Sequence, residues 1–304
     1  MKKSKDYCAV IVTFHPDIQH LESMARQILS AGVNLIIFDN TPASDATGLI
    51  GKIFEFDSQA SVSVVGEGIN YGLGIAFNKS IDLALKTNKS MSAFLFFDQD
   101  STVSKNDLLD LIDGYEKLTA LGIPVGVLGA TPVDVNNKPY RVKREQTELA
   151  NLPEGYHCVS FVISSFSLVP KMSIDTVGPF DERLFIDLVD SEYSYRCKRN
   201  YLYNIVSDSV RFTHVIGINR LNFLGRRFSV SSPLRNYYQA RNLILVGIAY
   251  KWRLILLFKI LKRFVQVVLS GMYFGYLSLR IKYFIEGLCD GLRGRGGAYN
   301  SSDK

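Results

Sequence analysis

The stretch AFLFFDQDS, residues 93–101, determines how the rest of the sequence is interpreted. Its first five residues form a short, continuous apolar run, which predicts a strand buried on both faces. Asp98, Gln99 and Asp100 follow directly, so two carboxylates separated by one residue stand at the end of that strand. Their mutual repulsion beside a buried sheet favours a nearby cation, and Mg²⁺ or Mn²⁺ with phosphate oxygens would supply it. A solvated turn is the alternative interpretation of the triplet.

Similar apolar runs alternate with helical patterns through the first half of the chain. This alternation predicts an α/β fold with a parallel, doubly wound sheet, in which ligands bind beyond the carboxyl ends of the strands. The polar clusters at 13–17, 39–41 and 98–101 should therefore converge on one crevice. Strands are predicted at 7–14, 33–38, 61–65, 93–97, 125–130, 159–169 and 204–206, and helices at 17–31, from the loop at 66–74 to about residue 86, at 104–121 and from about residue 233.

A glycine-containing segment, NYGLGIAFN at residues 70–78, precedes the second predicted helix. Glycines let the backbone approach a phosphate or a sugar closely, and the start of the helix favours an anion. The segment lacks the third glycine of the dinucleotide fingerprint, so a nicotinamide cofactor is not supported. A tight turn before a helix is the alternative.

Acidic residues and one histidine in the second half suit acid–base and metal chemistry. Asp187, Asp190 and Glu192 cluster in an apolar setting, which suits a general base. They would equally suit the acidic first turn of an exposed helix. His214 lies on an apolar strand, where it is either a core residue or a neutral imidazole ligand for the cation.

Two arginines flank aromatic residues in SPLRNYYQARN, residues 232–242. The guanidinium groups of Arg235 and Arg241 match the oxygen geometry of a diphosphate on a donor or on a lipid-linked acceptor. A solvated basic helix face is the alternative interpretation.

The charge of the chain is concentrated at its C-terminal end. The net charge is +6, of which residues 243–304 carry +7 and the remaining residues −1. A near-neutral main body argues against nucleic-acid binding. The longest uncharged run in the basic part, 264–279, is shorter than the roughly 20 residues that span a bilayer. We therefore predict amphipathic helices that dock on an anionic membrane surface, with a helical pair forming a homodimer as the alternative.

Cysteine usage and the N-terminus indicate a cytoplasmic protein. No two of the four cysteines form a C-x-x-C pair, and we expect all four to be reduced thiols. The apolar run at 8–14 is too short for a signal peptide. With 47% hydrophobic and 21% charged residues the composition is that of a globular protein.

In this order the motifs resemble the family-2 inverting glycosyltransferases of the GT-A fold, and among them the bacterial L-rhamnosyltransferases of O-antigen and cell-wall polysaccharide synthesis. The resemblance implies a GT-A domain with a Rossmann-like nucleotide-sugar-binding sheet over 1–242 and an amphipathic, basic helical region over 243–304. The matching stretches are VTFHPD (12–17), FDNT (38–41), NYGLGIAFN (70–78), FFDQDS (96–101), FIDLVDSEYSYR (185–196), THVIG (213–217) and SPLRNYYQARN (232–242).

The resemblance also implies roles for individual residues in donor binding. Asp39 would accept a hydrogen bond from the pyrimidine N3–H, and Asp98 would hold the ribose side of the donor. Asp100 would bind the Mg²⁺ or Mn²⁺ ion, with His214 as a further ligand. The other donor-binding positions that it implies are Thr13, Asn70, Gly74, Asn78, Gln99, Arg235 and Arg241.

Asp190 aligns with the catalytic aspartate of the family, whereas Val189 replaces the acid that usually precedes it. Asp187 and Glu192 remain alternative bases. The reaction that the resemblance implies is a single displacement with inversion, from dTDP-L-rhamnose or a UDP-sugar to a saccharide acceptor linked to a lipid diphosphate.

Two other functions would use similar motifs. A sugar nucleotidyltransferase would carry a basic, glycine-rich phosphate loop after the first strand, where this sequence reads HPDIQH at 15–20. A non-catalytic, membrane-associated assembly subunit would keep the fold with a degenerate site. Metal-dependent hydrolysis of a nucleotide-sugar would separate an enzyme from such a subunit.

Overall fold

A computed structural model describes residues 6–45, 60–134, 139–140, 144–145, 149, 152–213, 219–223 and 226–300. The chain forms two compact units, which we call unit 1 (Met1–Phe180 with Asp190–His214) and unit 2 (Asp181–Val189 with Val215–Lys304). The predicted domain boundary after residue 242 falls inside a helix, Pro233–Ala249.

Unit 1 is built on an eight-stranded mixed sheet with the strand order β3-β2-β1-β4-β7-β5-β8-β6. The first four strands are parallel, β7 is antiparallel to both of its neighbours, and β5 and β8 pair in parallel. The carboxyl ends of β1, β2 and β4 therefore lie at one edge. The strands are β1 (Tyr7–Thr13), β2 (Asn34–Asp39), β3 (Val62–Val65), β4 (Ala93–Asp98), β5 (Val125–Val133), β6 (Tyr156–Cys158), β7 (Ser167–Pro170) and β8 (Tyr203–Thr213).

Helices cover both faces of this sheet, as the apolar, two-sided strands require. Helices α1 and α3 bury Leu21 and Leu108 in a core with Ile11 and Leu95 on one face. On the other face, Phe77 of α2 packs on Phe96 of β4. The helices of unit 1 are α1 (Ile18–Ser30), α2 (Gly72–Thr87), α3 (Lys105–Ala120), α4 (Lys171–Val177) and α5, which begins in unit 2 (Val189–Arg199).

The second half of the sheet differs from the sequence prediction in its strand limits. The run at 159–169 forms a strand only at its end, in β7, and a turn that contains Phe166, with φ 52°, directly precedes that strand. A separate short strand, β6, precedes the run. The predicted strand at 204–206 is the centre of the eleven-residue β8.

Unit 2 contains a two-stranded antiparallel hairpin, β9 (Asn219–Phe223) and β10 (Arg226–Val230), and the helices α6 (Pro233–Ala249), α7 (Arg253–Phe274) and α8 (Leu277–Leu292). The helical C-terminal region predicted from the sequence is thus confirmed. Helices α6 and α8 touch through their backbones: a Cβ on Gly287 would collide with the carbonyl of Tyr237, and one on Gly291 would lie 2.7 Å from Cβ of Ile244. No helix within the described ranges is both long enough and apolar enough to cross a membrane.

Candidate active site

The ends of β1 and β2 are joined by a buried hydrogen-bond network. Thr13 and Asp39 are register partners, and Oγ1 of Thr13 donates to Oδ1 of Asp39 at 3.0 Å. The backbone N–H of Thr41 donates to the same oxygen at 3.0 Å. Thr13 and Asp39 are both 0% exposed. The two residues thus fix the turn that follows β2.

The glycine-containing loop after β3 lies directly on this turn. A Cβ on Gly66 would stand 2.6 Å from the carbonyl oxygen of Asp39, so only glycine allows this approach. Ala43 donates its backbone N–H to the carbonyl of Gly68 at 2.9 Å. Loop 66–68 therefore packs against the backbone of the turn that follows β2.

Asn40, a member of the polar cluster at 39–41 without an individually predicted role, connects the end of β2 to the start of α2. Its side chain accepts from the N–H of Tyr71 at 3.1 Å and donates to the carbonyl of Gly72 at 3.1 Å. Asn70 accepts from the N–H of Gly72 at 2.9 Å. Gly72 has φ +76°, which glycine adopts without strain. Asn40 and Asn70 thus both fix the backbone at the start of α2.

Gly74 and Asn78, also predicted to line the donor pocket, are buried on α2. The amide of Asn78 pairs with the backbone of Phe180, donating to its carbonyl at 3.0 Å and accepting from its N–H at 2.9 Å. These contacts give Asn78 a role in the packing of unit 1.

The acidic triplet stands at the same sheet edge as Thr13 and Asp39. Asp98 ends β4 and is half-buried, whereas Asp100 is exposed in the turn that follows. The turn is closed by a hydrogen bond from the N–H of Ser101 to the carbonyl of Asp98 at 3.0 Å. Gln99 accepts from the N–H of Phe14 at 2.7 Å and donates to its carbonyl at 3.1 Å. The predicted convergence of these strand ends is therefore present.

The side-chain oxygens of Asp98 and Asp100 show whether this sheet edge could hold a divalent cation. Mg²⁺ is usually held in enzymes by one or two carboxylates together with substrate phosphates. Asp98 and Asp100 offer such carboxylates, and the exposed Asp100 can reach a ligand from solvent. Within the described residues no three His, Cys, Asp or Glu side chains form a metal-binding group. His214, the other predicted ligand, lies outside the described residues. The carboxylates of Asp98 and Asp100 fit an ion that also binds phosphate oxygens of a ligand.

Asp190, the predicted base, lies in the first turn of α5. Its Oδ1 accepts from the N–H of Ser191 at 2.7 Å, and its side chain is half-buried. It lines a narrow cavity in unit 1 together with Phe180, Tyr193 and Val162. A half-buried carboxylate held by hydrogen bonds from a neighbouring serine can accept a proton from a hydroxyl group that reaches it.

The two alternative bases are already paired. Glu192 is buried and forms an ion pair with Arg196 at 2.8 Å. Asp187 lies in unit 2, and its carboxylate accepts hydrogen bonds from Nε and Nη2 of Arg235 at 2.9 and 3.0 Å. Guanidinium groups therefore occupy carboxylate oxygens that either alternative base would have to present to a hydroxyl group.

Arg241 differs from its predicted role. It is 0% exposed, and its N–H groups donate to the carbonyls of Arg183 at 2.9 Å, Leu184 at 3.0 Å and Gly297 at 2.5 Å. A guanidinium so enclosed holds the backbone of unit 2 and is not presented to a donor diphosphate. The sequence pattern of an arginine beside aromatic residues does not distinguish an arginine that binds a ligand phosphate from one that binds backbone carbonyls.

Asn242 acts on the same loop of unit 2 and was not singled out in the sequence. Its Nδ2 lies within hydrogen-bond distance of the carbonyls of Leu184 at 2.7 Å, Ile186 at 2.7 Å and Asp187 at 2.8 Å. The loop needs this support because Phe185, Asp187 and Leu188 all have positive φ.

Comparison with known proteins bears on this arrangement. No protein-family model matches the chain. The chain is 28% identical to dTDP-rhamnosyl transferase RfbF of Shigella flexneri, over 96% of its own length and 98% of that protein.

Two solved structures have a similar fold. S. aureus TarS 1–349 in complex with UDP-GlcNAc matches with a TM-score of 0.58 and 15% identity, covering 95% of this chain and 81% of that one. GalNAc-T7 with UDP, GalNAc and Mn²⁺ matches with a TM-score of 0.55 and 13% identity, covering 80% of this chain. The matched region spans 51%, about half, of the GalNAc-T7 chain. The predicted GT-A fold and the resemblance to glycosyltransferases are thereby confirmed.

Proposed function

We propose that the protein transfers L-rhamnose from dTDP-L-rhamnose, with inversion, to a hydroxyl group of a saccharide acceptor. The observation that carries this proposal is the similarity to a dTDP-rhamnosyl transferase over nearly the full length of both chains. A UDP-sugar is the second candidate donor, because TarS, which shares the fold, was solved with UDP-GlcNAc.

The donor would lie at the sheet edge formed by the ends of β1, β2 and β4. Asp98 would face the ribose, and Asp100 would hold a Mg²⁺ or Mn²⁺ ion with the donor diphosphate and His214. When bound, such an ion would neutralise negative charge on the departing diphosphate. Support comes from the exposed carboxylate of Asp100 and from GalNAc-T7, which was solved with UDP and Mn²⁺.

Asp190 would accept the proton of the acceptor hydroxyl as that hydroxyl attacks the anomeric carbon. The hydrogen bond from the N–H of Ser191 would orient the carboxylate. Attack from the face opposite the nucleotide inverts the configuration, so a β-linked donor gives an α-linked product. Arg235, whose side chain is 47% exposed, is the remaining candidate of the two predicted arginines for a phosphate of the donor or the acceptor.

Unit 2 would bring the enzyme to an anionic membrane surface, where an acceptor carried on a lipid diphosphate would be found. Five large apolar side chains in the first half of α7 are each at least 59% exposed, an unusually apolar surface for a soluble helix. Exposed basic residues such as Lys251, Arg253 and Lys262 stand beside them. Such a combination is typical of helices that lie in a membrane interface. The five side chains are Leu254, Ile255, Leu257, Phe258 and Leu261.

The membrane role can be tested with point variants, since removing residues 250–304 would also remove Phe284 and Val267 from the core of unit 2. We expect the wild-type protein to sediment with phosphatidylglycerol vesicles, and Leu254→Ser/Phe258→Ser to remain in the supernatant. Phosphatidylcholine vesicles serve as the neutral control. If the double variant instead converts a dimer to a monomer and leaves sedimentation unchanged, the apolar surface is a homodimer interface.

The donor is tested with a panel of nucleotide-sugars, each with Mg²⁺ or Mn²⁺. We expect dTDP-L-rhamnose to give the largest thermal shift and to be hydrolysed to dTDP in the presence of the metal. A larger shift and faster hydrolysis with UDP-GlcNAc would favour the second candidate. Absence of metal-dependent hydrolysis with every donor would indicate a non-catalytic subunit.

A further inference from the structure

Unit 1 contains a second, larger cavity of about 350 Å³ at the β5–β8–β6 side of the sheet. None of the motifs singled out in the sequence contributes to it. Its volume lies within the range of small-molecule sites. It is lined by Thr131, Pro139, Tyr140, Arg144, His157, Val159, Val206, Asp208 and Arg211.

This cavity lies on the same face of the sheet as Asp190. Val206, in its wall, is the register partner of Gly129, and a Cβ on Gly129 would collide with Val162. Val162 lines the narrow cavity that contains Asp190, whereas Val159, three residues earlier, lines the larger one. The two cavities are therefore neighbours, separated by one short segment of chain.

The β8 strand turns this same face towards helix α5. Asn204, two residues before Val206, donates from Nδ2 to the carbonyl of Ser194 on α5 at 2.9 Å. Because side chains alternate along a strand, Val206 points to the same face as Asn204. A ligand in the larger cavity would thus lie on the face of the sheet that is covered by α5, the helix that carries Asp190 in its first turn.

The cavity carries an excess of positive charge. Oδ2 of Asp208 accepts from Arg144 at 3.4 Å and is hydrogen-bonded to Nε2 of His157. Arg211 uses only Nε within the described part of the chain, donating to the backbone carbonyl of Asp208 at 3.2 Å. Two guanidinium groups and a single carboxylate thus line the cavity, and among the described residues the terminal nitrogens of Arg211 have no hydrogen-bond acceptor. Such a fork matches a carboxylate or phosphate oxygen pair.

We propose that this cavity binds the acceptor saccharide through an oxyanion substituent, a carboxylate or a phosphate on a sugar unit. The proposal rests on the proposed transfer to a saccharide. Arg211 would hold the oxyanion, while the His157–Asp208 pair and Tyr140 would meet hydroxyl groups and the apolar face of the ring. The donor would remain at the other strand ends, so the two substrates use separate parts of unit 1.

The test is a set of binding titrations on the full-length protein without donor, followed by saturation-transfer difference NMR. The probes are D-glucuronic acid, D-glucose 6-phosphate, neutral D-glucose and inorganic phosphate. We expect at least one anionic sugar to bind about tenfold or more tightly than D-glucose, since a charge-assisted hydrogen bond is gained. Glucuronic acid alone would identify a carboxylate, and glucose 6-phosphate alone a phosphate.

Variants locate the binding in the cavity. Arg211→Ala should weaken the anionic sugar about tenfold or more, and Arg211→Lys should restore part of the affinity. Because Arg211 is exposed, we expect both variants to fold. Arg26→Ala is the matched control, since Arg26 is an exposed arginine on α1, which packs on the opposite face of the sheet.

Three results would overturn the proposal: equal binding of D-glucose, binding of inorganic phosphate as tight as that of the sugars, or unchanged affinity in Arg211→Ala. The titrations contain no nucleotide-sugar, so they report on the cavity alone. The donor panel tests the proposed function independently, and a failure there would leave these titrations unaffected.

Discussion

The side-chain amide of Gln99 forms two hydrogen bonds with the backbone of Phe14, one to its N–H at 2.7 Å and one from its amide to the carbonyl at 3.1 Å. Phe14 directly follows β1, and Gln99 stands between Asp98 and Asp100. The amide thus continues the pairing of β1 and β4 beyond the point where the strands end. The position of both carboxylates consequently depends on a neutral residue.

Replacing Gln99 by alanine removes both of these hydrogen bonds. We expect Gln99→Ala to lower the free energy of unfolding by about 1 kcal/mol, as for a partly exposed pair of hydrogen bonds. The KM for the donor should rise, because the turn that carries Asp100 is no longer fixed. Urea unfolding and donor kinetics measure the two effects. Gln19→Ala, an exposed glutamine on α1, is the control, and wild-type values in Gln99→Ala would contradict the proposed role.

Replacing Asp190 by asparagine tests the base. The variant keeps the size of the side chain and an oxygen for the N–H of Ser191, but it cannot accept a proton at neutral pH. We expect the affinity for the donor to be unchanged by calorimetry and kcat to fall by about 10²–10⁴, the usual contribution of general-base catalysis. Glu182→Gln, at an exposed position, should behave as wild type. An active Asp190→Asn would move the base to another residue.

Asp100→Ala tests the predicted metal position. Loss of this exposed carboxylate should abolish metal-dependent transfer, and titration of Mn²⁺ in the presence of the donor should show weaker binding of the ion. The fold should be intact, since exposed side chains contribute little to stability. Asp110→Asn, on the exposed side of α3, provides the matched control. Full activity of Asp100→Ala at low Mn²⁺ would exclude a metal ligand at this position.

Asn242→Leu tests the support of the loop in unit 2. The substitution removes the Asn242 donor from the carbonyls of Ile186 and Asp187, whereas the carbonyl of Leu184 keeps its hydrogen bond from Arg241. Each unsatisfied buried group costs about 1–3 kcal/mol, so we expect a loss of several kcal/mol and a clearly lower melting temperature by calorimetry. Asn236→Leu, which removes a single hydrogen bond to Pro233, should be much milder. Equal melting temperatures for the two variants would argue against the role of Asn242.

Cysteine alkylation tests the burial of unit 1. Burial raises the pKa of the Cys8 and Cys197 thiols to about 12, so at pH 8 both remain protonated and unreactive. Cys289 is half-exposed. Iodoacetamide followed by mass spectrometry should label Cys289 first in the native protein, and all cysteines in urea. Labelling of Cys197 as fast as Cys289 in the native state would show that the core of unit 1 opens readily.

Much of unit 1 follows from local sequence patterns. The apolar runs at 7–14, 33–38 and 93–97 match β1, β2 and β4 within one residue at each end, because burial on both faces needs no long-range information to recognise. The run at 159–169 departs from this rule, and a turn that contains Phe166 interrupts a stretch that looks uniformly apolar. The predicted domain boundary follows the last motif of the family resemblance, at residue 242, whereas α6 continues through it.

The site was less predictable than the fold. The triplet at the end of β4 could be found because its carboxylates follow a buried strand. Asn78 and Arg241 were assigned to ligands, yet Asn78 pairs with Phe180, 102 residues away, and Arg241 with the carbonyl of Leu184, 57 residues away. Such pairings depend on tertiary structure, and a single polar residue in a motif carries no sign of them. The cavity beside Arg211 is likewise lined by residues from separate strands and loops, so no local sequence pattern indicates it.

The backbone contact between α6 and α8 restricts how this region can evolve. At Gly287 and Gly291 there is no room for even a methyl group, so selection there acts on the absence of a side chain. Half a turn away, Ile285 is 51% exposed and can be exchanged without displacing the helix. Homologues should therefore diverge freely along the outer side of α8 while these two positions stay fixed, a pattern that hydrophobicity alone would not reveal.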